Sequence, residues 1–480
     1  MNGLILHIPK GFWSDDQRHS FINALPMGVF AIANYCNQRG HRVLVTNAAA
    51  FPKRDLALKT ILGRIIDTNN QVIGIPLHWH LSGYDIILTA KFLKEHMPGL
   101  KVILGGLTAS VYPDQLMECC PEIDGIIVGD GELPFCSYLD KIKCSPQDPD
   151  FGAVPNLVWR SDDSIIHNEV NYIANSDQLS ELDFSPQGTV FSMSEYMNKM
   201  RIEEAVSGTV PVSLDQPTRD KLFFISTGRG CSYNCIYCSG SAVANKRYCR
   251  RSGVTMRSPD SVVADFQRCY AAGFRRFHIG FDPAFASKDQ YYQELFFSLQ
   301  KKIGSDIQLI FEAYGLPASA FLKSANKTFA WVGIILSPCF FSEAVRKAYK
   351  GYYFSNEQLE EKLKEIHLYK NCQGFVYYAV SKLEEWSIES LLKKIDYMRF
   401  LQEHYFCEVT ALPIYVEPGS PWVSFPKLLN KKVFDFSFQD FLTEWQKPFV
   451  GWNDRLTGIT GTGLIMQQIH AGIRGEIAQV

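Results

Sequence analysis

An α/β chain built from two successive parallel-sheet units is predicted by three observations. Short apolar runs alternate with amphipathic helical stretches over residues 1–140, the alternation weakens over 141–220, and it resumes as six strand-helix repeats over 221–425. The remaining segment, 426–480, reads as a small, mostly helical region that caps the barrel or contacts substrate. The 480 residues exceed what one average core organises, and an apolar content of 46% is ample for packed interiors.

In the first unit, Leu4–Ile8, Arg42–Thr46, Val72–Pro76, Val102–Leu104 and Gly125–Val128 read as five strands. A helical pattern opens after Pro26 and ends at Gly40, and Tyr84–His96 repeats apolar residues at helical spacing. Such a sheet is doubly wound, Rossmann-like, and binds ligands at the carboxyl ends of its strands. Gly105-Gly106 follows the fourth strand and Gly129-Asp130-Gly131-Glu132 the fifth, where glycines let backbone approach a bulky ligand. No Gly-x-Gly-x-x-Gly occurs there, which argues against a dinucleotide. Leu77-His78-Trp79-His80 follows the third strand; with two histidines and no third ligand, a pocket wall is favoured over a zinc site.

Pro146, Pro149, Pro155, Pro186, Pro211 and Pro217 interrupt 141–220, which reads as a linker with a few short strands. The second unit has strands at Leu222–Thr227, Arg276–Phe281, Ile307–Ala313, Phe329–Leu336, Phe375–Ser381 and Val409–Val416. Ser258-Pro259 supplies an N-cap and a first-turn proline, and Ile388, Leu391, Leu392, Ile395 and Met398 form one apolar helix face. Six such units fit a partial (β/α)6 barrel of the TIM type, with catalytic loops at its C-terminal mouth. The tail aromatics Phe434, Phe436, Phe438, Phe441, Trp445, Phe449 and Trp452 read as a helical cap on that barrel ahead of a substrate lid.

A net charge of -2 offers no basic face for a phosphate backbone, so nucleic acid is not expected as a partner. No basic region precedes Leu4–Ile8 and no apolar segment approaches a membrane span, so the expectation is a cytoplasmic protein without membrane association. The 13 cysteines are odd in number and read as reduced thiols. Ten of them, Cys36 and Cys136 included, show no metal-ligand spacing and read as packed or surface residues.

The other three stand in Cys231-Ser232-Tyr233-Asn234-Cys235-Ile236-Tyr237-Cys238. Their spacing cannot share one face of a helix, so the segment is expected to be a loop wrapped around a metal. It follows the first barrel strand through Thr227-Gly228-Arg229-Gly230, at the active mouth. A zinc site would want a second cysteine pair, and none occurs. Three thiolates on a four-iron cluster leave one iron open to a small ligand.

This run resembles the signature of the radical S-adenosylmethionine (radical SAM) superfamily, C-x-x-x-C-x-x-C with an aromatic residue, here Tyr237, before the last cysteine. The resemblance implies a [4Fe-4S] cluster on Cys231, Cys235 and Cys238, S-adenosyl-L-methionine on the fourth iron, and a 5'-deoxyadenosyl radical as oxidant. It also implies SAM contacts at Tyr237, at Asp282 in Gly280-Phe281-Asp282-Pro283, where relatives carry Gly-Gly-Glu, and at Ser337 after the fourth strand. Without the resemblance, Asp282 reads equally well as a helix N-cap. Arg346-Lys347-Ala348-Tyr349-Lys350-Gly351 resembles the segment after that strand in cobalamin-binding members; on its own it is a solvated basic helix end. Glu417-Pro418-Gly419-Ser420 closes the sixth strand as relatives do.

The first unit resembles the cobalamin-binding domain that precedes such barrels. Cobalamin contacts are then implied for Gly105, Gly106, Gly129, Asp130, Gly131 and Glu132, with His78 or Trp79 beneath cobalt. The Asp-x-His-x-x-Gly of proteins that ligate cobalt from below is missing, and Asp16 and His19 have the wrong spacing for it. The function implied is methylation of an unactivated carbon, or phosphorus, of a specialised metabolite or peptide by way of methylcobalamin, with a flavodoxin- or ferredoxin-type one-electron reductant as partner. The alternative keeps both cofactors but rearranges, contracts or cyclises the substrate. A resemblance to transfer-RNA methylthiotransferases is weaker, because their second cysteine triplet and basic terminal barrel are missing.

Overall fold

The structure, a computed structural model, describes residues 1–14, 25–162, 164–186, 188–190, 222–288, 290–425, 436–447 and 454–474. The first sheet has five parallel strands, β1 (Asn2–His7), β2 (Arg42–Asn47), β3 (Val72–Pro76), β4 (Lys101–Gly105) and β5 (Gly125–Ile127). To these, β6 (Leu157–Ser161) and β7 (Ser164–His167) add an antiparallel hairpin, giving the order β2-β1-β3-β4-β5-β6-β7. The short strands expected in 141–220 are thus the edge of the first sheet. Helices Gly28–Asn37, Arg54–Asp67, Gly83–His96 and Glu132–Cys144 cover its faces. Strands covered on both sides are uniformly apolar, as Leu4, Ile5, Leu6, Ile73 and Ile75 show by their burial.

The second sheet runs β15-β14-β13-β12-β11-β8, all parallel, an open six-stranded barrel. Its strands are β8 (Leu222–Phe224), β11 (Arg276–Ile279), β12 (Gln308–Ala313), β13 (Trp331–Cys339), β14 (Cys372–Val380) and β15 (Glu408–Pro413); β9 (Gly228–Arg229) and β10 (Thr255–Met256) form a small antiparallel pair beside them. Ser258 caps helix Pro259–Ala271 by accepting from the Ser261 N–H, with Pro259 in the first turn. The apolar face expected on helix Ile388–Tyr405 is narrower than its sequence reads. Ile395 and Met398 are buried, whereas Ile388 is 80% exposed beyond the edge of the barrel.

The tail divides between the two units instead of capping the barrel alone. Helix Phe438–Gln446 lies on helix Gly83–His96 of the first unit, with Phe441 and Trp445 fully buried. The Trp445 indole donates to His80 Nδ1 at 3.1 Å, and Lys10 Nζ donates to the Trp445 carbonyl at 2.6 Å. Helix Thr462–Ile473 packs on β15 and helix Ile388–Tyr405 of the barrel. Phe434, Phe449 and Trp452 lie outside the described residues.

Candidate functional site

The cysteine run is a loop, as its spacing requires, and each sulfur meets one backbone donor. Cys231 Sγ accepts from the Tyr233 N–H at 3.3 Å, Cys238 Sγ from Gly240 at 3.3 Å, and Cys235 Sγ from Gly351 at 3.2 Å. Hydrogen bonds to sulfur are one way a protein sets a cluster's potential. Among the described residues, three metal-capable donors gather within 4.8 Å of one another only at His41, Cys136 and Asp140. The triplet's sulfurs are not gathered that tightly. Burial pushes the Cys231 and Cys238 thiols up, most strongly Cys238, which also faces the Glu417 carboxylate.

Three neighbouring segments fix this loop. The Ile236 N–H donates to the Tyr349 carbonyl at 3.0 Å, and the Trp422 N–H to the Ile236 carbonyl at 3.0 Å. Glu417 accepts from both the N–H and the hydroxyl of Ser239, at 2.8 and 2.7 Å. A Cβ on Gly351 would stand 2.5 Å from Tyr233 Cβ, so only glycine lets this segment reach the loop. Arg346 is no solvated helix end. Fully buried, it donates to the carbonyls of Phe340 and Phe354 and to Asn356 Oδ1.

Under Tyr237 lies a polar cluster whose partners the sequence did not reveal. Tyr237 Oη is 3.2 Å from Cys339 Sγ, and Lys350 Nζ donates to the same sulfur at 2.9 Å. Cys339 sits at a register shift in β13 with φ of 63°. A non-glycine residue is held in that left-handed region only where its surroundings over-determine it. Ser337 is buried against Glu312 of β12. Burial raises the Glu312 carboxyl to about 7, against the opposing pull of Lys350.

Asp282, expected at SAM, lies in the loop after β11 and is not among the residues lining the cavity described below. It is wholly buried and accepts from the N–H groups of Ala286 and Tyr314 at 2.9 and 3.2 Å, which makes it the brace of the loop after β11. Burial raises it to about 6 despite those donors.

All eight positions expected at cobalamin line one cavity of about 940 Å³ between the two units: His78, Trp79, Gly105, Gly106, Gly129, Asp130, Gly131 and Glu132. Tyr237 lines it from the barrel side, as do Glu312, His278, Tyr377 and Glu417; Asp282 and Ser337 do not. Gly106 has φ of 99°, and a Cβ there would come within 3.0 Å of the His78 backbone, so the glycine keeps the β3 and β4 loops in contact. The chain turns in a one-turn 3-10 helix, His80–Ser82, just after Trp79, which separates the two histidines. Both histidines border the cavity, and the His80 ring accepts from the Trp445 indole through Nδ1. Asp16 and His19 lie outside the described residues.

Asp130 and Glu132 contribute to the cavity wall, but their carboxylates are engaged by the barrel. Arg229 binds Glu132 through both terminal nitrogens, NH1 at 3.1 Å, and reaches Asp130 at 3.1 Å; Arg251 pairs with the other Asp130 oxygen. Burial works to raise Asp130, and the two guanidiniums outweigh it and hold the carboxyl low. These side chains clamp the two units together across the cavity rim. Arg229 lies in the glycine-rich exit already noted, and Glu312 and His278 are polar residues inside otherwise apolar central strands, a signal that could have marked them.

Residues 23–139 match the B12 binding domain family. An uncharacterised methyltransferase of Pyrococcus horikoshii is 23% identical over 305 residues, 63% of this chain and 56% of that protein. The anaerobic magnesium-protoporphyrin IX monomethyl ester cyclase of Synechocystis is 25% identical over 142 residues, 29% of this chain and 27% of that one. The chain thus spans about half the length of the first of these relatives and about a quarter of the second. Among solved structures, the radical S-adenosylmethionine methyltransferase TsrM from Kitasatospora setae, with cobalamin and a [4Fe-4S] cluster bound, superposes with a TM-score of 0.62 at 14% identity, covering 89% of this chain and 74% of that one. The cobalamin-dependent S-adenosylmethionine radical enzyme OxsB, with aqua-cobalamin bound, gives 0.57 at 15% identity, covering 100% and 62%. No helix among the described residues is long and apolar enough to cross a membrane.

Proposed function

We propose that this chain, a B12-binding domain joined to a barrel of the radical SAM fold, is a cobalamin-dependent radical SAM methyltransferase acting on an unactivated carbon, or phosphorus, of a small molecule or peptide. One observation carries the reading: the glycine loops of the B12-binding domain and the tyrosine of the cysteine loop line the same cavity. When bound, the cluster and SAM supply a radical that removes substrate hydrogen, and cobalamin supplies a transferable methyl group.

This chain's residues divide that work by position. Cys231, Cys235 and Cys238 would hold the cluster, each sulfur oriented by its backbone donor. Gly105, Gly106, Gly129 and Gly131 bring backbone close to a corrin-sized ligand, and His78 and Trp79 form the floor on the B12 side. Glu312, Glu417 and Tyr377 form the polar wall on the barrel side, suited to the cationic groups of SAM or to a hydrogen-bond donor on the substrate. The Arg229 clamp keeps both walls in register. An external one-electron donor of the flavodoxin or ferredoxin type completes the reaction.

Anaerobic reconstitution with iron, sulfide and cobalamin, followed by turnover with SAM labelled in its methyl group, tests the proposal on candidate substrates. Label in the product together with deoxyadenosine supports it. Deoxyadenosine with an unlabelled, rearranged product would replace methylation with rearrangement, and no cobalamin uptake would reject both.

A further inference from the structure

At the amino end of β2, four residues from three separate segments converge. His41 directly precedes β2, Cys36 lies near the end of helix Gly28–Asn37, and Cys136 and Asp140 sit one turn apart on helix Glu132–Cys144. The donor atoms of His41, Cys136 and Asp140 all lie within 4.8 Å of one another. The Cys36 thiol stands beside that of Cys136 on the neighbouring helix. We propose that Cys36, His41, Cys136 and Asp140 form a structural zinc site that ties the two helices to the edge of the first sheet.

The donor set suits zinc. Two thiolates, an imidazole and a carboxylate are its common ligands, and tetrahedral bonds of about 2.0–2.3 Å place donor atoms roughly 3.3–3.8 Å apart. The spread of His41, Cys136 and Asp140 is within about an ångström of that, and Cys36, which lies outside this group of three, would turn toward it to complete the shell. Cys36, His41 and Cys136 are buried, while Asp140 is 57% exposed and leaves a route of entry. The His41 ring is satisfied on one side only: Nε2 meets Asp140 Oδ1 at 3.1 Å, while Nδ1 is buried without a partner.

Binding displaces the thiol protons and involves no change in oxidation state. Two thiolates, a carboxylate and a divalent ion leave one negative charge, which Arg39 beside Cys136 and Lys143 beside His41 offset. The spacing along the chain hid this group, because no two of its cysteines or histidines form a recognisable short motif. Its consequence reaches the cavity, since helix Gly28–Asn37 contributes Gly28, Val29 and Ile32 to the cavity wall.

The test uses the full chain carrying Cys231→Ala, Cys235→Ala and Cys238→Ala, so that the cluster thiols cannot compete, and zinc or cobalt(II) alone as the probe. One zinc per chain is expected, together with tetrahedral cobalt bands and sulfur-to-cobalt charge transfer. Adding Cys136→Ala should weaken zinc binding by about 100-fold or more, and Asp140→Asn, at an exposed position that leaves the core intact, by about 10-fold. Zinc should raise the melting temperature of the parent but not of the Cys136→Ala chain. A parent that takes up no zinc, or binds it equally well after both substitutions, overturns the proposal.

Discussion

Replacing Arg229 by methionine is expected to loosen the two units by an amount the structure allows to be estimated. Glu132 is 1% exposed and receives both terminal guanidinium nitrogens, so Arg229→Met leaves a buried carboxylate with its main countercharge gone. Breaking one partner of a buried pair costs about 3–5 kcal/mol. Arg229 is 18% exposed and Asp130 keeps Arg251, which places the expected loss at the lower end, about 3 kcal/mol or roughly 150-fold in the equilibrium. Replacing both partners, Arg229→Met with Glu132→Met, removes the stranded charge, and the double variant should recover most of that loss. Urea titration of the cobalamin-free chain, followed by circular dichroism and tryptophan fluorescence, measures all three variants, and cobalamin affinity should fall in the single variant first. An Arg229→Met chain within about 1 kcal/mol of the parent, or a double variant no better than the single, would refute the clamp.

Three further outcomes follow from the cavity. Glu312 holds its proton up to about pH 7 when folded and up to about 4.5 when unfolded, so it makes stability fall as pH rises between those values, by up to about 3 kcal/mol; Glu312→Gln should flatten the melting-temperature profile over that window, and an unchanged slope would assign it elsewhere. His78→Ala and Trp79→Ala should each change the visible spectrum of bound cobalamin, and identical spectra and affinities in both would remove them from the floor. Lys350→Met takes a cation from beside Tyr237 and the segment bonded to Cys235. Its removal should lower the midpoint potential of the reconstituted cluster, by about 70 mV for a charge some ~10 Å away at an effective dielectric of ~20, read by a redox titration with electron paramagnetic resonance.

The fold was legible because β1 to β5 of the first sheet and all of the second are parallel, which concentrates apolar residues into short runs that stand out from the helices between them. β3 matches its sequence range residue for residue, and the other barrel and first-sheet strands lie within a few residues of theirs. The β6-β7 hairpin was harder to place, because two short strands among prolines carry no information about which sheet edge receives them. The tail failed for a related reason. Phe441 and Trp445 mark a buried helix, but periodicity cannot choose between two apolar surfaces, and the choice was made by Lys10 and His80 offering Trp445 polar partners.

The site was legible where a backbone requirement forces the residue type and obscure where a side chain acts through distant partners. Gly106 and the cysteine spacing carry their constraints in the sequence itself. Asp282 does not: a carboxylate before a proline is read equally well as ligand or brace, and the N–H groups of Ala286 and Tyr314 that meet its Oδ2 are visible only in the fold. Lys350 and Cys339 are eleven residues apart and meet only because β13 shifts register at a strained cysteine. The same reasoning separates the two thiol groups of the molecule. The triplet is compact in sequence, whereas His41, Cys136 and Asp140 are scattered in sequence and gathered in space. Spacing along the chain therefore finds the first and is blind to the second.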